Sequence, residues 1–149
     1  VCPVCPQDKW WSDYIDALMI LLDEVITRYA VDTKRIYLTG LSMGGYGSWH
    51  LGSEHPGRFA AVVPICGGGA WHLGFPDKVR PLTDTPVCAF HGAKDPMVPL
   101  RESQVLVDTL KAAGGNVRFT IYPEAEHDSW TETYNNPDLY TWLLEHKLP

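Results

Sequence analysis

One short stretch, residues 40–44 with the sequence GLSMG, constrains the fold of this chain more than any other. An apolar run, residues 35–39, precedes it and a helical pattern, residues 44–53, follows it. Gly-x-Ser-x-Gly in that setting is typical of a sharp strand-to-helix turn. Such a turn forces the serine into a strained backbone conformation, and we expect side chains at Gly40 and Gly44 to collide across it. The stretch therefore predicts a raised serine at the end of a strand.

The rest of the chain alternates between strand-like and helical patterns, which is typical of a mostly parallel sheet with helices on both faces. A helical periodicity runs from a cap at Ser12 to Tyr29. No linker divides the pattern, so residues 1–149 are predicted to form a single α/β domain. The further strands are expected at residues 59–65, 86–90 and 117–122, and the further helices at residues 100–113 and after a cap at Asn136.

The charge and hydropathy of the chain argue against two classes of partner. The formal net charge is −6 and no run of Lys or Arg is present, which is a poor basis for nucleic-acid binding. Hydrophobic residues make up 45% of the chain, enough for a buried core. The apolar runs nevertheless fall far short of the ~20 residues that span a membrane. We therefore expect neither nucleic acid nor a membrane as a partner.

Four cysteines, Cys2, Cys5, Cys66 and Cys88, give a weak signal for metal or redox chemistry. Cys2 and Cys5 are spaced as Cys-x-x-Cys, but no second such pair or His-x-His pattern completes a set of four ligands. Cys66 and Cys88 fall in or beside apolar, strand-like runs, where a thiol behaves as a small hydrophobic group. We expect no metal site, and no disulfide joining Cys2 or Cys5 to the other two.

A serine nucleophile needs a base, and the base needs an acid that orients it. The strand at residues 86–90 runs into HGAKDPMVP, which places Asp95 in the loop at its carboxyl end. The strand at residues 117–122 runs into PEAEHDSW, which places His127 in the next such loop. The carboxyl ends of parallel strands meet at one edge of a sheet, and the order Ser, Asp, His is the one that accompanies this kind of turn. The sequence therefore predicts a catalytic triad of Ser42, Asp95 and His127.

Each of these assignments has a rival. Asp84 precedes its strand and falls at the wrong edge of the sheet, while Asp95 in a Lys-Asp-Pro turn has the alternative of a plain turn former. His91 lies in the turn at the end of its strand, where structural hydrogen bonds are its expected role. His50 lies one or two helical turns beyond the serine. His127 has the alternative of a solvated loop histidine.

Three further residues are candidates for the site. Met43 begins the helix after Ser42, where its backbone N–H has no partner within the helix and is free to donate to a developing oxyanion. Trp11 and Trp130 fall in segments expected near the same edge of the sheet and are candidates to line an acyl or alcohol pocket. Ordinary packing is an equally good interpretation of both tryptophans.

The blocks GLSMGGYGSW around Ser42, HGAKDPMVP around Asp95 and EAEHDSWTETY around His127 resemble the esterase branch of the α/β-hydrolase superfamily. The resemblance covers nearly the whole chain, which is similar to bacterial carboxylesterases, feruloyl-esterase-like enzymes and predicted peptidases. It implies an α/β-hydrolase fold and hydrolysis of a small-molecule carboxylic ester through an acyl-enzyme on the serine. It also implies that no metal or organic cofactor takes part.

The amino-terminal part departs from the family pattern. The superfamily usually has an eight-stranded sheet with three or four strands before the nucleophile, whereas only 39 residues precede Gly40. Residues 1–5 are expected to be no more than the tail of a strand, and the loop that provides the second oxyanion N–H is expected to be missing. The strand before Ser42 would then have an open edge, which we expect to pair with a second copy of the chain or with another strand.

Two other functions remain open from the sequence. One is hydrolysis of small peptides or amides by the same triad, and the other is a hydrolase-like fragment that binds or assembles without turnover. The acyl and alcohol groups and the oligomeric state are undecided. The compartment is undecided as well, since no signal peptide is visible after Val1.

Overall fold

The computed structural model describes residues 1–69 and 75–149, and the elements below belong to that part of the chain. The strands are β1 (Tyr37–Leu41), β2 (Ala61–Ile65), β3 (Val87–Gly92) and β4 (Val117–Tyr122). The helices are α1 (Ile15–Arg28), α2 (Met43–Glu54), α3 (Arg101–Ala112), α4 (Trp130–Asn135) and α5 (Pro137–Glu145). Two 3₁₀ helices, Trp11–Tyr14 and Asp77–Asp84, precede α1 and β3. Within the described residues, no helix combines the length and the apolar character that crossing a membrane requires.

The four strands form one parallel sheet in the order β1-β2-β3-β4. β1 pairs with β2 from Tyr37 opposite Ala61 to Leu41 opposite Ile65, and β3 pairs with β4 along the whole of both strands. Parallel neighbours need a crossover connection, which α2, the second 3₁₀ helix and α3 provide in turn. The prediction of a mostly parallel α/β sheet is confirmed.

Two apolar clusters cover the two faces of this sheet, because alternate residues of a strand point to opposite faces. One cluster joins Val62 of β2 to Trp49 of α2 and also holds residues of α1 and α3. The other joins Val63, the next residue of β2, to Trp142 of α5. The sheet therefore has helices on both faces, as the sequence predicted, and its carboxyl edge is left to the loops.

Two strands are longer at their carboxyl ends than the sequence indicated. β1 continues through Gly40 and Leu41, because both residues pair with β2. β3 continues through His91 and Gly92, because both pair with β4. The sequence predicted the first strand to end at Thr39 and the third at Phe90, but pairing with a neighbouring strand keeps the backbone extended for two more residues in each.

The amino-terminal region differs more from the expectation. Ser12 does not cap a helix, since it lies inside the 3₁₀ helix Trp11–Tyr14, and α1 begins only at Ile15. Residues 1–5 form no strand. The 3₁₀ helix Asp77–Asp84 and the short helix α4 were not predicted from the sequence.

β1 is one of the two outer strands of the sheet in the part of the chain that the structure describes, and β4 is the other. An apolar groove of about 340 Å³ lies between α1 and β1, and Leu22 of α1 and Leu38 of β1 are among its lining residues. Unpaired strand edges invite pairing with another chain. The expectation that a second copy or another strand pairs with this edge stays a prediction.

Leu110→Ala is expected to lower the free energy of unfolding by about 2–5 kcal/mol, because Leu110 of α3 is fully buried and its loss leaves a cavity in the core. Leu144→Ala is the matched control, since Leu144 of α5 is 65% exposed and its removal should change that free energy by less than about 0.5 kcal/mol. Urea unfolding followed by circular dichroism measures both. Equal unfolding midpoints for the two variants would contradict the packing of α3 on the sheet.

Candidate active site

Ser42 occupies the turn between β1 and α2 in a backbone conformation that few residues adopt. Its φ is 51° and its ψ is −118°, outside the regions that ordinary side chains favour. Its backbone N–H donates to Ile65 O at 3.0 Å, which ties the turn to the end of β2. The strained backbone presents the serine hydroxyl at the carboxyl edge of the sheet.

The glycines around Ser42 differ in how much room a side chain would have at their positions. A Cβ at Gly40 would lie 2.3 Å from the carbonyl oxygen of Gly44, so a side chain there would collide with the first turn of α2. A Cβ at Gly44 would meet no atom of the described residues within 4 Å, so the expected collision at this second position is wrong. Gly45 is a second position without room for a side chain, since its Cβ would lie 2.4 Å from Ile65 O.

His127 joins Ser42 to Asp95 through hydrogen bonds at both of its ring nitrogens. Nε2 lies 2.9 Å from Ser42 Oγ, and Nδ1 lies 2.7 Å from Asp95 Oδ2. An ionised carboxylate only accepts, so Nδ1 carries the hydrogen and Nε2 accepts from the serine hydroxyl. The turn after β1 and the loops after β3 and β4 each contribute one of the three residues. The structure thus brings the three together in an arrangement that allows proton transfer from the serine.

Asp95 is a buried carboxylate with a donor at each oxygen. Its side chain has no exposed surface, and Oδ1 accepts from the backbone N–H groups of Met97 at 2.8 Å and Val98 at 2.9 Å. Burial raises the pKa of Asp95, but the hydrogen bonds from His127 and from these two N–H groups outweigh it. The pKa of Asp95 therefore lies below its ordinary value, and the group stays charged at neutral pH.

The rival residues lie elsewhere. His91 of β3 is fully buried, with Nδ1 2.7 Å from Ser103 Oγ of α3 and Nε2 2.8 Å from Val98 O. Asp84 ends the 3₁₀ helix before β3, at the opposite end of that strand from Asp95. The serine hydroxyl donates its hydrogen bond to His127 and not to His91.

Cys66 is a neighbour of the serine that the sequence reasoning did not place in the site. Its Sγ accepts a hydrogen bond from the Ser42 N–H at 3.3 Å, and its backbone has a positive φ of 39°. Burial raises the pKa of the Cys66 thiol to about 11, so the thiol is protonated at neutral pH. Cys66 follows β2 directly, and this position at the carboxyl end of a strand was the signal that could have revealed it.

Cys66, Asp95 and His127 each have an atom that could ligate a metal ion, and these three atoms lie within 4.8 Å of one another. The hydrogen bond between His127 and Asp95 accounts for the proximity of those two, and the Cys66 Sγ accepts from the Ser42 N–H. All four thiols of the chain, including those of Cys2 and Cys5, are free. We infer no metal site from this group.

The remaining candidates do not share one pocket. Met43 is the first residue of α2, where its backbone N–H has no acceptor within the helix. Trp11 packs so closely on Gly47 that a Cβ there would lie 2.9 Å from its side chain. Trp11 and Met43 line a narrow pocket with room for about one water molecule. Trp130 begins α4, and its ring packs edge-on against the His127 ring with the centroids 5.4 Å apart.

Comparison with known proteins places the chain among esterases. A family model described as phospholipase/carboxylesterase matches residues 7–139. The chain is 32% identical over 120 residues to acyl-protein thioesterase 1 of Gibberella zeae, covering 78% of this chain and 49% of that protein. It is 29% identical over 140 residues to a bifunctional acetylxylan esterase/xylanase of Neocallimastix patriciarum, covering 91% of this chain and 18% of that protein.

A solved structure gives the same indication. A thermostable esterase is 37% identical to this chain and superposes on it with a TM-score of 0.89, covering 97% of this chain and 43% of that one. The chain thus spans less than half the length of each of the three proteins compared.

Gly40→Ala is expected to lower the free energy of unfolding by about 1–3 kcal/mol or more, because the new Cβ forces the first turn of α2 away from β1. Gly44→Ala is the matched control. Its Cβ enters open space and alanine favours a helix, so the change should be within about 1 kcal/mol of zero. Urea unfolding measures the free energy of unfolding of both variants, and an equal decrease in the two would show that the described turn is wrong.

Proposed function

The chain belongs to the phospholipase/carboxylesterase family of the α/β-hydrolase superfamily, and on that premise we propose that it hydrolyses carboxylic esters through an acyl-enzyme formed on Ser42. The observation that supports this most directly is the continuous line of hydrogen bonds from Ser42 Oγ through His127 to Asp95, at 2.9 and 2.7 Å. A nucleophile, a base and an orienting acid in that order are what acyl transfer from a serine needs.

In the proposed reaction, His127 Nε2 accepts the Ser42 proton while Oγ attacks the carbonyl carbon of the ester. The intermediate carries its negative charge on the former carbonyl oxygen, and the Met43 N–H at the positive end of α2 stabilises that charge. His127 then returns the proton to the departing alcohol, which leaves the acyl group on Ser42. Water, activated by the same histidine, releases the acid and restores the serine hydroxyl.

Asp95 acts on the histidine in two ways in this mechanism. Its bond to Nδ1 keeps the hydrogen on that nitrogen, so Nε2 is the free acceptor that the serine proton needs. Its negative charge also stabilises the imidazolium that forms once His127 has taken the proton. Because His127 carries out every proton transfer, the proposed reaction requires no metal or organic cofactor.

The names of the relatives favour acyl groups bound to oxygen or sulfur as substrates. They include an acyl-protein thioesterase and an acetylxylan esterase, and the solved structure is that of an esterase. Both oxygen esters and thioesters have a leaving group that is easier to expel than an amine. We therefore propose a small-molecule carboxylic ester as the substrate, with amides as the poorer class.

Ser42→Ala is expected to reduce kcat/KM for a p-nitrophenyl ester by a factor on the order of 10⁴ or more, because it removes the nucleophile. Ser53→Ala, a buried serine near the far end of the same helix, is the control and should retain activity. A Ser42→Ala protein that hydrolyses the ester at the normal rate would exclude Ser42 as the nucleophile.

Asp95→Asn is expected to lower kcat by about 10³- to 10⁴-fold, because the amide can donate to Nδ1 and hold His127 in the wrong tautomer. The fold should survive, since the Asn oxygen can still accept from the N–H groups of Met97 and Val98. Asp84→Asn, at the other end of β3, is the control and should leave kcat unchanged. The measurement is kcat for ester hydrolysis by the two folded variants. Equal values for Asp95→Asn and Asp84→Asn would show that Asp95 is not the orienting acid.

Two measurements separate this proposal from its alternatives. Paired ester and anilide substrates with the same acyl group separate an esterase from an amide hydrolase, and we expect the ester to react faster. A fluorophosphonate probe separates an enzyme from a non-catalytic fragment, since it should label Ser42 in the wild type and nothing in Ser42→Ala. Absence of labelling in the folded wild type would support the fragment.

A further inference from the structure

A chain of three short polar contacts runs through His91, the second histidine beside Asp95. Nε2 lies 2.8 Å from Val98 O, Nδ1 lies 2.7 Å from Ser103 Oγ, and Ser103 Oγ lies 2.7 Å from Gly67 O. His91, Ser103, Val98 and Gly67 are all buried, so bulk solvent does not reach these contacts. Each contact therefore needs a hydrogen atom of its own.

A count of hydrogens fixes the charge that these contacts require. Val98 O and Gly67 O are carbonyl oxygens, which only accept. Val98 O therefore needs a hydrogen on Nε2, and Gly67 O needs the single hydroxyl hydrogen of Ser103. The contact between Nδ1 and Ser103 Oγ then contains a hydrogen only if Nδ1 carries one. A neutral imidazole has one N–H, whereas this geometry uses two.

Asp95 supplies the opposite charge that a buried imidazolium needs. Asp95 Oδ2 lies 3.4 Å from His91 Nε2, in addition to its bond with His127. Burial holds the pKa of His91 below its ordinary value and the charge of His127 adds to this, although the hydrogen bond to Val98 O and the charge of Asp95 raise it. A neutral ring would leave one of the three buried contacts without a hydrogen, at a cost of about 1–3 kcal/mol. Burial opposes a charge at His91, whereas the three contacts and the Asp95 carboxylate favour the charged form.

We propose that His91 is a buried imidazolium and a positioning residue that shares the Asp95 carboxylate with His127. The charged or titratable groups around it are Asp95, His127 and, on α3 beside Ser103, the buried Glu102. A positive charge at His91 opposes the uptake of a further proton by the Asp95–His127 pair, which keeps His127 in the form that accepts from the serine. This kinetic consequence rests on the proposed function, whereas the charge of His91 does not.

The charge can be measured without turnover by ¹⁵N NMR of histidine-labelled protein at pH 7. His91→Gln identifies the signals of His91 among the six histidines. We expect both ring nitrogens of His91 to have the chemical shift of a protonated nitrogen. One protonated and one unprotonated nitrogen would overturn the proposal.

Ser103→Ala provides a second assignment where His91→Gln does not fold. It removes the partner of Nδ1 and the reason for the second proton, so one histidine should change from two protonated nitrogens to one. An unchanged set of histidine signals in folded Ser103→Ala would contradict the hydrogen count.

The positioning role is tested by the pH dependence of kcat/KM for an ester substrate. Loss of the positive charge in His91→Gln or Ser103→Ala favours proton uptake by the Asp95–His127 pair, so the acid limb should move to higher pH by roughly 0.5 units or more. His146→Gln, which changes a histidine after α5, is the control and should leave the limb in place. An unmoved limb in both test variants overturns the positioning role. A wild type without esterase activity overturns the proposed function and leaves the NMR result standing.

Discussion

The close approach of β1 to the first turn of α2 is the constraint on which the rest of the site depends. At Gly40 the backbone of β1 touches the first turn of α2 with no side chain between them, so the helix begins directly where the strand ends, and at Gly45 the same turn touches Ile65 O at the end of β2. Ser42 is thereby held in a conformation that costs on the order of 1–3 kcal/mol. It cannot relax without moving α2, whose Trp49 and Leu51 belong to the main core. Burial of the helix therefore stabilises the strained serine.

A second constraint is the burial of a full negative charge at Asp95. An unpaired carboxylate in such a place would take up a proton, but here two backbone N–H groups hold Oδ1 and His127 holds Oδ2. The same bonds fix the direction of the His127 ring. The groups that make the buried charge tolerable are thus the groups that orient the proposed base, and neither role can change without the other.

The parts of this structure that could be predicted from the sequence are those with a local pattern. Strands and long helices follow from apolar periodicity, and the proposed triad follows from the order of residues at strand ends. The 3₁₀ helix Asp77–Asp84 was missed because its sequence is polar and contains a proline, and because the burial of Val79 and Leu82 that helps to hold it is a tertiary effect. Ser103 was missed for a related reason, since its contacts depend on which strand lies beside α3, whereas the place of Cys66 directly after β2 is a signal that the sequence does contain. The expected collision at Gly44 was wrong because we assumed that the residues two before and two after Ser42 lie equally close across the turn, whereas only Gly40 does.

The loops that carry Asp95 and His127 are positioned by the sheet itself. Hydrogen bonding between β3 and β4 continues past the strand ends, where the Ala93 N–H donates to Tyr122 O at 2.9 Å. Gly92 makes this possible, because a Cβ there would lie 2.0 Å from the carbonyl oxygen of Glu126, the residue before His127. The spacing of the two loops is therefore set by the strand separation of about 4.8 Å and not by flexible side-chain packing. A histidine and a carboxylate fixed in this way are already paired before any substrate arrives, so binding does not have to bring them together.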